Sequence, residues 1–102
     1  MSFAVVVKNG HALRVDPKTG QSKGPIGQTN AKAAASDGQY AVIVYGDGRA
    51  RRYDAGTGTD RGLIGTQGVI GCSVSGGMAV LSYANGKAHR YDVRTGSDRG
   101  AV

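Results

Sequence analysis

Residues 49–65 read RARRYDAGTGTDRGLIG, and residues 11–27 (HALRVDPKTGQSKGPIG) and 87–102 (KAHRYDVRTGSDRGAV) fall in step with them. Asp16, Asp54 and Asp92 are spaced 38 residues apart, as are Arg14, Arg52 and Arg90, Ala12, Ala50 and Ala88, and Thr19, Thr57 and Thr95. Gly10, Gly48 and Gly86 keep the same step, so the chain reads as one supersecondary unit repeated without a gap. A repeat of this length cannot bury its apolar face alone. Stacked neighbours must cover it.

Working outward from the repeat, each unit divides into strands and turns. An apolar run (Ala4 to Val7, Ala41 to Tyr45, Ala79 to Leu81) precedes Asn9-Gly10, Asp47-Gly48 or Asn85-Gly86. These pairs tolerate positive φ and predict a two-residue hairpin in every unit. The returning strand ends at the repeated Asp, and Asp-x-x-Thr-Gly predicts a turn in which the carboxylate accepts backbone N–H groups and Gly takes the left-handed position. A short third strand carries Ile26, Ile64 and Val102. A fourth segment, Ala31 to Ser36 and Val69 to Ser75, is built largely of small residues. Four short strands per unit is the count of a propeller blade.

The runs Ala4 to Val7 and Ala41 to Val44 are apolar throughout, as expected of strands covered on both faces. The fourth segments have the side-chain sizes that fit a crowded innermost strand. The expected fold is therefore all-β, three 38-residue β-repeats forming propeller-like blades, with a β-trefoil-like or other small barrel as the alternative. The passages VYGDGRARRYDAGTGTDRG and SYANGKAHRYDVRTGSDRG resemble blades of the pyrroloquinoline-quinone-type propeller repeats, in which a strand, a Gly hairpin and an Asp-x-x-Thr-Gly turn recur at similar spacing. The resemblance implies the blade fold. It implies no chemistry, because the tryptophans usual in those blades are absent and no quinone-binding or metal-binding residue is matched.

Composition agrees with turns joining strands. Gly supplies 18 of the 102 residues, and all seven acidic residues are Asp. Asp belongs in turns, whereas Glu, a good helix former, is absent, and each interior Gly costs a helix about 1 kcal/mol. The chain is expected to be a single β-repeat domain, 1–102, with units 3–40, 41–78 and 79–102, the last incomplete. Two fourth segments serve three hairpin sets, and propellers usually close with about four to eight blades. Homo-oligomerisation into a closed ring is the expectation, one route being that a strand of one subunit completes a neighbour's blade. The apolar runs are too short to span a bilayer, and one cysteine, Cys72, forms no intramolecular disulfide. A soluble protein of cytoplasmic synthesis without a membrane partner is expected.

The candidate sites are basic. Thirteen Lys and Arg against seven Asp give +6 and a pI of about 9.8, a balance that favours acidic partners. Arg14, Arg52 and Arg90 recur two positions before the turn Asp, and Lys23, Arg61 and Arg99 recur in the third strand. These six form two rows suited to a polyanion, nucleic acid or acidic glycan, or to an acidic protein surface. The competing reading pairs each Arg with the Asp two residues on, which shares its face of the strand, or with one on the adjacent blade. His11 and His89 occupy different repeat positions and lack partners at ligand spacing. Cys72 reads as a small buried side chain, and Gly56-Thr57-Gly58 as a turn. No catalytic residue, cofactor or metal is expected. The leading expectation is a non-enzymatic scaffold, adaptor or decoration subunit of a larger assembly, by analogy a phage particle. Polyanion binding is the alternative.

Overall fold

A computed structural model describes residues 4–102, and those residues form eleven strands and no helix. β1 (Ala4–Lys8), β2 (His11–Val15) and β3 (Ser22–Thr29) make the first sheet. β4 (Ala31–Ser36), β5 (Tyr40–Tyr45), β6 (Ala50–Asp54) and β7 (Asp60–Ile64) make the second, and β8 (Val69–Ser75), β9 (Met78–Tyr83), β10 (Ala88–Asp92) and β11 (Asp98–Ala101) the third. Every neighbouring pair is antiparallel, and each sheet runs in chain order. Three separate sheets packed face on face are propeller-like blades. A closed barrel would need ladder pairing from one sheet into the next. The small-residue segments β4 and β8 open their sheets by pairing with the apolar strand that follows, so each four-stranded sheet starts one strand before the repeat unit counted from its apolar run.

The first hairpin differs from the other two. Asn9 (φ 54°) and Gly10 (φ 77°) form the expected two-residue turn, with Lys8 opposite His11. In the second blade the Gly48 N–H donates to the Tyr45 carbonyl at 3.0 Å and the Tyr45 N–H to the Arg49 carbonyl at 2.9 Å. The loop there is three residues long, and Gly48 takes the left-handed bulge position at φ 84°. Gly86 does the same in the third blade, through Tyr83 and Lys87. The extra residue breaks the 38-residue step on the entering strand: Ala4 and Ala41 are 37 apart. Val5, Val6 and Val7 therefore match Val42, Ile43 and Val44, in agreement with Arg14 pairing opposite Val5 and Arg52 opposite Val42.

The Asp turns form as the spacing predicts. Asp16 Oδ1 accepts the Lys18 N–H, Asp54 Oδ1 the Gly56 N–H and Asp92 Oδ1 the Arg94 N–H, each at 2.9 Å. Gly20, Gly58 and Gly96 close the turns onto the Asp carbonyls with φ between 74° and 80°. Consecutive blades are tied at the hairpin end, where the Gly10 carbonyl accepts the Ala31 N–H and the Gly48 carbonyl accepts those of Gly68 and Val69.

The core lies in two layers, one at each blade junction. Val5, Ala12 and Ile26 of blade 1 meet Ala41, Ile43, Tyr45 and Tyr53 of blade 2. On its other face blade 2 brings Val42, Val44, Ala50 and Ile64 against Ala79, Leu81, Tyr83 and Tyr91 of blade 3. Alternate residues of β5 point to opposite junctions, which is why Ala41 to Val44 are all buried. Among the described residues blade 1 has a neighbour on one face only, and on its other face the continuous apolar run leaves Val6 45% exposed. No helix among the described residues is long and apolar enough to cross a membrane.

Candidate functional site

The repeated residues are spent largely on the junctions. Arg14 on β2 reaches across the first junction, its Nη1 donating to the Gly56 carbonyl in the Asp54 turn at 3.0 Å. Arg52 on β6 does the same at the second, donating through Nη1 to the carbonyls of Arg94 at 2.8 Å and Val93 at 3.3 Å, and through Nη2 to that of Arg61 at 2.8 Å. Arg90 on β10 is exposed and donates to the Arg99 carbonyl of its own blade at 3.3 Å. Pairing of Arg14, Arg52 and Arg90 with the turn Asp is replaced by carbonyl capture. The Asp carboxylates turn back onto their own loops, and the remaining oxygen faces the third strand. The cation there is Arg61, 3.5 Å from Asp54, or Arg99, 3.2 Å from Asp92. Lys23 is exposed at the corresponding place on β3. Lys23, Arg61 and Arg99 thus line the outermost strands, whereas Arg14 and Arg52 are half-buried between blades.

A second junction element is a tyrosine pair. Tyr45 Oη and Tyr53 Oη lie 2.6 Å apart, and the Gln28 N–H of the preceding blade donates to Tyr45 Oη at 3.0 Å. Tyr83 and Tyr91 repeat this at 2.6 Å, with the Thr66 N–H donating to Tyr83 Oη at 3.2 Å. Burial, then the bond to its partner hydroxyl, pushes the hydroxyls of Tyr53 and Tyr91 well above the ordinary tyrosine range. In blade 1 these positions are Lys8 and Val15.

A carboxylate also bridges two blades. Asp37 accepts the N–H groups of Gln39 and Tyr40 through Oδ1 and that of Gly77, in blade 3, through Oδ2 at 2.9 Å. Burial raises its pKa, but the backbone donors outweigh burial and hold it below the ordinary 3.8. A carboxylate with a depressed folded-state pKa stabilises above its unfolded value and loses that contribution as pH falls through the folded one. Thermal stability is therefore expected to drop as pH is lowered below about 4. Replacing Asp37 with Ala should lower the melting temperature at pH 7 and flatten the acid limb of a melting series. An unchanged acid limb would contradict the assignment.

Cys72, on β8, packs into the second junction with Sγ 3.7 Å from the Val42 carbonyl. Burial pushes its thiol up to about 11. The native thiol is expected to react with a disulfide reagent at pH 7.5 at least about a hundredfold more slowly than in denaturant; equal rates would refute burial.

Where the hairpin of one blade meets the loop leaving the preceding blade there is a cleft that the repeat alone does not announce. At the second junction it measures about 380 Å³ and is lined by Thr66, Gln67, Asn85, Lys87, His89 and Asp98, among others. The matching cleft at the first junction, about 320 Å³, is lined by Gln28, Asn30, Asp47, Arg49 and Arg51. His89 Nδ1 lies 3.5 Å from Asp98, and Arg51 Nη1 lies 2.9 Å from Asp60, so the two pairs occupy one repeat position. The sequence signal for it is a basic residue recurring after each hairpin, His11, Arg49 and Lys87. Both clefts are lined by polar side chains and by charges of both signs. Among the described residues no three His, Cys, Asp or Glu side chains gather as a metal site.

Antiparallel blades packed face on face, with the small-residue strands β4 and β8 opposed at the junction, define a β-propeller-type fold. No family model matches the chain, and no curated protein matches it. The likeness is to solved structures. Hydrazine synthase of Kuenenia stuttgartiensis superposes with a TM-score of 0.74 at 15% identity, covering 98% of this chain and 32% of that one. BamB from Moraxella catarrhalis superposes at 0.76 with 19% identity, covering 99% and 33%, and the computationally designed Ika4 protein at 0.71 with 20% identity, covering 100% and 67%. The chain spans about a third of the length of the hydrazine synthase and BamB chains it matches. At these identities the likeness is one of fold.

Proposed function

We propose that the protein is a non-enzymatic interaction or scaffold module whose blades assemble with those of further copies into a propeller-like ring, serving as an adaptor or decoration subunit of a larger assembly, of which a phage particle is one example. The observation that carries this reading is the use of the repeat's distinctive side chains. Arg14, Arg52, the two tyrosine pairs and Asp37 all bond across blade junctions. A sequence that repeats its junction chemistry is built for stacking blades, and the far faces of blades 1 and 3 keep part of that set, the Asp16 turn beside Ala4 and Val6 and the face of Val80, Ala88 and Arg90, without a covering sheet among the described residues. Light scattering over a range of concentrations tests it. Species larger than one chain support assembly, and a strictly monomeric, fully cooperative protein overturns it.

The second reading, polyanion binding, is favoured by the row Lys23, Arg61 and Arg99. The Arg61 and Arg99 side chains remain 51% and 56% exposed although each has an Asp partner. Guanidinium groups this open to solvent keep donor edges turned to water while one edge faces the carboxylate, an arrangement suited to phosphate contact. Binding to a random DNA duplex should then weaken steeply with salt. Replacing Arg61 and Arg99 together with Ala should reduce affinity at low salt by about tenfold or more; affinity unaffected by both changes would remove the reading.

A further inference from the structure

The two internal junctions share one construction. The leading face of each presents a valine, an alanine and an arginine: Val5, Ala12 and Arg14 in blade 1, and Val42, Ala50 and Arg52 in blade 2. The receiving face presents an Asp turn whose third residue offers its carbonyl, Gly56 for Arg14 and Arg94 for Arg52. The same half-sites recur at the two ends of the stack. Blade 3 presents Val80, Ala88 and Arg90, with Val80 opposite Arg90 as Val42 is opposite Arg52. Blade 1 presents the Asp16 turn, closed by the same bonds as the other two, and Lys18 holds the place of Gly56 and Arg94. Beside that turn the far face of blade 1 is apolar: Ala4 lies opposite Val15 and Val6 opposite Leu13, as Ala41 lies opposite Tyr53 and Ile43 opposite Arg51.

We infer that the outer face of blade 3 docks on the outer face of blade 1 of a second copy, with the Arg90 guanidinium donating to the Lys18 carbonyl, and that two copies close a six-bladed ring through two such junctions. This rests on the assembly reading above and specifies its partner and contact. The copy number follows from closure. Propellers close with about four to eight blades, so two copies of three fall inside that range and three copies, giving nine, fall outside. The contact is head to tail, which makes a ring when the rotation closes. A strand exchanged between copies does not enter, because the inner strands among each copy's described residues, β4 and β8, are already paired within their own sheets. Lys8 and Val15 stand where blades 2 and 3 carry tyrosines, so the inter-copy junction lacks the Tyr–Tyr–amide bond of the internal ones. It is the weaker seam of the ring.

The test is sedimentation equilibrium of the full 102-residue chain as wild type, Arg90→Ala and Arg99→Ala. The two variants lose the same charge from neighbouring strands of one blade. The Arg90 and Arg99 side chains are both exposed, so both variants should keep the wild-type far-ultraviolet circular dichroism. The expected result is a wild-type species of two chains, weakened at least about tenfold in Kd by Arg90→Ala and less than about threefold by Arg99→Ala. A wild-type monomer at every concentration would overturn both this inference and the assembly reading. Three or more copies would overturn the six-bladed ring. A two-chain species that Arg90→Ala leaves unchanged, or that Arg99→Ala weakens equally, would overturn the Arg90 contact while the assembly reading stands.

Discussion

Replacing Gly65 with alanine is expected to destabilise the fold by about 2–5 kcal/mol. Gly65 follows β7 with φ 74°, where a side chain costs about 1–2 kcal/mol on its own. A Cβ there would also sit 2.6 Å from Leu81 Cδ1 and 2.6 Å from Tyr83 Oη. Neither neighbour has room to give: Leu81 is fully buried, and Tyr83 is fixed by Tyr91 and the Thr66 N–H. Overpacking of this kind adds about 1–3 kcal/mol. Gly20 separates the two contributions. It has the same φ of 74° and an added methyl group would meet nothing within 4 Å, so Gly20→Ala should show the backbone cost alone. Chemical denaturation of both variants decides the matter. Equal losses would mean that blade 3 does not press on Gly65.

Truncating Leu81 to alanine should cost about 2–5 kcal/mol, the range for a fully buried leucine whose cavity cannot collapse. Leu81 is 0% exposed between blades 2 and 3. Its match in blade 1, Val6, is 45% exposed, and Val6→Ala should cost under about 1 kcal/mol when measured on the single chain. The contrast is a direct readout of the junction, because the two residues occupy one repeat position and differ chiefly in whether a preceding blade covers them. A loss below about 1 kcal/mol for Leu81→Ala would contradict the layered core.

Much of this architecture is legible in the residues. The Asp-x-x-Thr-Gly turns form as read, because an Asp side chain and a left-handed Gly satisfy the loop locally and need nothing from the rest of the chain. The unbroken apolar run Ala41 to Val44 signals a strand covered on both faces, and the small residues of β4 and β8 a crowded inner strand. What depends on geometry between units is harder to see. The hairpins differ by one residue, yet Gly10, Gly48 and Gly86 stay in step, so the shift shows only where Arg14 pairs opposite Val5. Sequence spacing places Arg52 and Asp54 on one face of a strand, and they do not pair: the carboxylate accepts its own turn amides, leaving Arg52 to cross to Arg94 and Asp54 to meet Arg61 from the next strand. The junction clefts join residues more than fifteen positions apart, such as Gln67 and Lys87. No local pattern marks them beyond the recurring base after each hairpin.

The assembly reading makes the folded state depend on concentration. If the outer faces of blades 1 and 3 are covered only when copies meet, mass action stabilises the folded form as protein is added. Thermal unfolding of the wild-type chain, followed by circular dichroism at about 1 μM and about 100 μM, should give a melting temperature that rises by several degrees across the series. A melting temperature that stays constant over the hundredfold range would contradict the account, showing that the blades need no second copy.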